Sequence, residues 1–124
     1  MRYLIPVILA TLLALPAVAA ETQAVKTIAS VLVDFNHFPS DDDKMALQEV
    51  IDADTTSEEE AAVATALMNV QHKVQADDRK ALQAIVADPD AASSTKTLAQ
   101  ILLDLSHTPS EEAKRELKTL SGAS

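Results

Sequence analysis

Apolar residues recur at helical spacing in six separate stretches of the chain. Ile28, Val31, Leu32 and Phe35 form one stripe, Val63, Leu67 and Val70 a second, and Leu98, Leu102 and Leu105 a third. Each marks one buried face of a helix with a period near 3.6 residues. Between them lie narrower stripes flanked by charge: Leu47, Val50 and Ile51, then Leu82, Ile85 and Val86. A narrow stripe predicts a helix that buries less of its circumference. The last stretch, around Leu117, is weaker still, because Ser121 stands where the others have Ile51 and Val86. The pattern predicts six helices, each about 11 to 16 residues long.

The stretches are copies of one another at an offset of 35 residues. Ala29, Ala64 and Ala99 coincide, as do Leu32, Leu67 and Leu102, then His37, His72 and His107, then Leu47, Leu82 and Leu117. Softer columns agree in chemistry: Asp34, Asn69 and Asp104; Asp42, Asp77 and Glu112; Lys44, Arg79 and Lys114. Self-similarity at a fixed period is the mark of an internally duplicated array. The expected fold is all-α, with three tandem 35-residue helical hairpins forming a short superhelical array or a closed bundle. Periodicity does not choose between these two. The polar Ser121 reads as the solvent-facing cap of an array. A period near 34 also belongs to tetratricopeptide repeats, but their Trp, Leu-Gly and Tyr positions are missing here, so only the length agrees.

Helix starts are written into the sequence. Ser40 and Ser110 each follow a proline and precede acidic residues, so a serine oxygen can accept from orphan amides while the carboxylates favour the positive end of the helix dipole. Ser57 followed by Glu60 is a capping-box pattern. Short connectors are expected at 52–56 and 88–92.

Residues 1–20 carry a basic start at Arg2, an apolar run from Leu4 to Leu15 and small residues at Ala17 to Ala20. This is the pattern of a secretory signal peptide, cleaved after Ala20 or Ala19, and it leaves residues 21–124 as a single helical domain in the periplasm or outside the cell. Pro6 and Pro16 shorten the span below what a membrane anchor needs. Losing Arg2 with that segment takes the formal net charge from −9 to −10. Such a surface repels nucleic acid and anionic membranes and keeps the protein soluble. The chain has no cysteine, which removes disulfides, thiol catalysis and cysteine-held metals from consideration. Beyond residue 20 its aromatics are Phe35 and Phe38 and its glycine is Gly122, so stacking platforms and glycine-rich phosphate loops are absent.

The three histidines are the sharpest chemical feature. One reading places each at the carboxyl end of the first helix of its unit, as a cap. The other is transition-metal binding, Zn(II), Cu(II) or Ni(II), with Asp34 or Asp104 orienting the ring or joining as a ligand. Geometry separates them. Neighbouring helices in an open stack hold equivalent residues about 8 to 10 Å apart, too far for one ion, whereas a closed bundle gathers them. A calcium loop at Asp52 is disfavoured, because Ser57 and Val63 occupy the places that need glycine and glutamate. Ser106 and His107 are adjacent and do not face each other on a helix, so no nucleophile and base are paired and an enzyme is not expected. Phe38 aligns with Lys73 and Thr108, which marks it as a candidate partner contact. The leading expectation is therefore an exported, non-enzymatic repeat protein that binds another protein as an adaptor, inhibitor or chaperone-like factor. The alternative is a small periplasmic metal-binding protein using His37, His72 and His107.

Overall fold

In the computed structural model, residues 22–122 are described, and they fold into six helices with no strand among them. In chain order these are α1 (Gln23–Val33), α2 (Asp41–Asp52), α3 (Glu58–Met68), α4 (Ala76–Ala87), α5 (Ser93–Leu103) and α6 (Glu111–Ser121). Adding 35 to the bounds of α1 gives those of α3, and again those of α5. The same step takes α2 to α4 and to the start of α6. At 11 or 12 residues each, the helices lie at the short end of the expected range.

The caps hold each helix where the sequence directs it. Ser40 and Ser57 both close capping boxes, with Asp43 and Glu60 as the reciprocal partners. The Ser110 hydroxyl oxygen accepts from the amide of Ala113, and Thr22 does the same for Val25 at the start of α1. Gly122 ends α6 in the left-handed region at φ 84°, a conformation that needs no Cβ accommodation in glycine. The first turns of α4 and α5 have no side-chain cap bond.

Burial divides the helices into inner and outer sets. α1, α3 and α5 touch one another and bury broad faces, with Ile28, Leu32, Val63, Leu67, Leu98 and Leu102 wholly inaccessible. Ala29, Ala64 and Ala99 are also inaccessible, and their small side chains let the inner helices approach closely. α2, α4 and α6 lie outside and are anchored above all by the fully buried Leu47, Leu82 and Leu117. Burial of a leucine side chain contributes about 1.5 to 3 kcal/mol, so these columns carry much of the stability.

Each outer helix seats mainly on the inner helix of the next unit: α2 on α3, α4 on α5, and α6 back on α1. The array is thus closed into a ring of approximately threefold character, which decides between the two architectures that periodicity left open. The sequence reading of each unit as a self-packed hairpin is refined by this, since the two helices of one unit touch less than those of neighbouring units. The reading of Ser121 as a solvent-facing cap of an array is corrected in part, because Ser121 is half-buried and α6 packs on α1. The predicted signal peptide falls on residues outside those described. Among the described residues, no helix is long and apolar enough to cross a membrane.

Candidate metal centre

The site grows out of the loops that join inner to outer helices. Each inner helix stops at its C-cap, Asp34, Asn69 or Asp104. The next residue is a buried apolar anchor: Phe35, Val70 or Leu105. Two positions further on comes the histidine, and two beyond that a second buried residue, Pro39, Val74 or Pro109. With anchors on both sides, the chain must reverse at the histidine itself. It does so by adopting φ of 69°, 70° and 68° at His37, His72 and His107, the only positive-φ residues besides Gly122 among those described. The left-handed region costs a non-glycine residue roughly 1 to 2 kcal/mol, although histidine is among the types that enter it more readily.

Backbone bonds across the ring hold this conformation. The amide of His37 donates to the carbonyl of His107 at 2.7 Å, that of His72 to His37 at 2.7 Å, and that of His107 to His72 at 3.0 Å. Every histidine donates once and accepts once, closing a cycle through three residues spaced 35 apart. Within two of the loops the turn is tightened further, with Phe38 N–H donating to Asn36 O at 2.8 Å and Thr108 N–H to Ser106 O at 2.7 Å.

The same cycle brings the imidazoles together. Their Nδ1 atoms form a triangle with sides of 3.2, 3.1 and 3.0 Å, and the ring planes cross at 67° to 74° in a propeller. Nδ1, the nitrogen nearest the backbone, converges because the turn sets all three Cα atoms around one axis. The 8 to 10 Å separation expected of an open stack does not apply. His37 is half-buried, while His72 and His107 are exposed.

Three imidazole nitrogens at this spacing have a bonding problem. A single proton serves one pair, or is shared poorly by two, and the remaining lone pairs face one another. A cation on the axis meets all three. Bonds of about 2.0 to 2.1 Å from one transition-metal ion to all three nitrogens would be compatible with this spacing, and His37, His72 and His107 would hold it.

Charge around the site favours a cation. The outer helices begin at this pole, and their first turns carry Asp41, Asp42, Asp43, Asp77, Asp78, Glu111 and Glu112, within six residues of the preceding histidine. Basic groups are also near: Lys73 follows His72 in sequence and Lys44 lines the groove beside it, while the Arg79 guanidinium donates to the carbonyl of Leu103 and Lys114 pairs with Glu111 at 3.5 Å.

Two sequence expectations are corrected. The histidines do not cap the helices, since the chain has already left the helix three residues earlier and the rings meet each other instead. Asp34 and Asp104 are not part of the site: both are exposed, and Asp104 accepts from Gln100 Nε2 at 3.2 Å. No carboxylate joins the three histidines as a potential metal-ligand group among the described residues. Phe38 is 59% exposed and borders His72 in an open groove with Pro39, Lys44, Met68 and Val70. Sequence reasoning overlooked the paired anchors at two residues either side of each histidine, a signal visible in the columns Phe35, Val70, Leu105 and Pro39, Val74, Pro109. Neither a protein-family profile, nor a curated protein, nor a solved structure matches this chain.

Proposed function

We propose that this protein binds one transition-metal ion through Nδ1 of His37, His72 and His107. The observation that carries the reading is the nitrogen triangle of 3.0 to 3.2 Å. Neutral imidazoles suit Zn(II), Cu(II) and Ni(II), while the hard ions Mg(II) and Ca(II) call for oxygen ligands that this set lacks. If residues 1–20 direct export, the ion is met in the periplasm or outside the cell. A role in binding another protein, the leading expectation from sequence, keeps one specific support in the exposed Phe38.

Isothermal titration with Zn(II), Cu(II) and Ni(II) tests the metal reading, beside a variant in which all three histidines are alanine. The expected result is saturable binding at one ion per chain, a raised melting temperature, and loss of both in a variant that stays helical. Absence of saturable binding by the wild type, or equal binding by the variant, overturns it.

A further inference from the structure

Resting on the metal reading, we propose that the site selects Zn(II) against Cu(II), because the backbone holds the three Nδ1 atoms too close together for the coordination that Cu(II) prefers. With pliable nitrogen ligands Cu(II) binds more tightly than Zn(II), and a protein offsets that order through the geometry it imposes. Tetragonal Cu(II) that takes three imidazoles into its plane must set two of them on opposite sides, about 4 Å apart at bonds of about 2.0 Å. No pair of these nitrogens is further apart than 3.2 Å. Zn(II) has no geometric preference of electronic origin, so three nitrogens crowded together cost it nothing of that kind.

Opening one pair by the missing distance, roughly 0.8 Å, strains the backbone as well as a side chain. Nδ1 is joined to Cα through Cβ and Cγ alone, so its position follows the turn closely. Each turn is pinned by a buried residue two positions before the histidine, Phe35, Val70 or Leu105, and by another two positions after it, Pro39, Val74 or Pro109. The turns are fixed relative to one another as well, since each histidine amide donates to the carbonyl of another histidine at 2.7 to 3.0 Å. Shifting one turn outwards therefore disturbs two backbone bonds of the cycle. Cu(II) that leaves the turns in place must give up one imidazole and fill its plane from water.

The full chain tests this by titration of Zn(II) and of Cu(II) against chelators of known affinity, at one pH. Cu(II) is expected to bind no more than about tenfold more tightly than Zn(II). Electron paramagnetic resonance of the Cu(II)-loaded protein is expected to show fewer than three nitrogens in the tetragonal plane. A variant carrying Pro39→Gly and Pro109→Gly keeps all three imidazoles and loosens two of the turns; its Cu(II) affinity relative to Zn(II) is expected to rise by at least about tenfold. A wild-type preference for Cu(II) above about tenfold, three in-plane nitrogens in its spectrum, or a glycine variant that stays helical and keeps the wild-type ratio would each overturn the inference while leaving metal binding intact. Should the variant lose its helices, the wild-type ratio and spectrum decide. Binding of neither ion would instead defeat the reading on which the inference rests.

Discussion

The amide of His72 donates to the carbonyl of His37 at 2.7 Å, and both residues hold φ near 70°. A backbone bond between equivalent residues of neighbouring units therefore fixes the turn that aims the imidazole. The strain belongs to the backbone, so it can be separated from the side chain. Replacing His72 by Gly, Ala or Val removes the same imidazole each time but meets φ 70° differently. Urea unfolding is expected to rank them Gly, then Ala, then Val, with Gly above Ala by about 1 kcal/mol. Equal stability of Val and Gly would mean that the turn is not left-handed in solution.

Metal affinity should depend steeply on acidity. Each imidazole must be free of its proton to coordinate, so protons compete with the ion at three positions. Competition with a chelator across the acid range is expected to show zinc affinity falling as pH is lowered. Zinc affinity indifferent to pH would remove the imidazoles from the site.

Ring closure makes a separate prediction about stability. Leu47, Leu82 and Leu117 are all fully buried, although the last belongs to the final helix of the chain. Substitution of each by Ala is expected to cost about 2 to 5 kcal/mol in chemical denaturation, with no discount for Leu117. An open stack would spare the terminal copy, so a small effect at Leu117 alone would contradict closure.

A fourth expectation concerns the pole away from the histidines. Glu60, only 6% exposed, accepts from the Thr22 hydroxyl at 2.6 Å and from the Ser57 amide at 2.9 Å, tying the start of α1 to that of α3. Its column otherwise holds Val25 and Thr95, both buried. Glu60→Ala should destabilise by about 1 to 2 kcal/mol through the lost cap and the emptied volume. Glu60→Val, which refills the column as the first unit does, should cost less. A double-mutant cycle with Thr22→Ala measures the coupling. If Val proves the worse substitution, the hydrogen bonds outweigh the packing.

Much of this architecture can be read from residues alone, and what cannot has a physical reason. Stripes such as Ile28, Leu32 and Phe35 reveal the buried face of one helix, and Ser40, Ser57 and Ser110 reveal where helices begin. They do not say which neighbour covers the face. Closure depends on α6 finding α1, a contact between the two ends of the described chain that no local pattern encodes. The spacing from Asp34 to His37 is three, which puts both on one face if the helix runs on. It ends at Val33, and the positive φ at His37 then turns the ring towards its sister copies. Identical histidines in three columns made the site visible, while its geometry rests on the backbone cycle.

The closed ring also has a meaning in the language of assemblies. Each unit meets the next through two different surfaces, an outer helix on one side and an inner helix on the other, which is a heterologous interface. Contacts of that kind either return on themselves or propagate without end. Three units on one polypeptide are a cyclic trimer written in tandem, in which the linkers fix the copy number. A chain shortened by one unit would be left with two unmatched surfaces, complementary to each other, and would satisfy them by exchange with other chains.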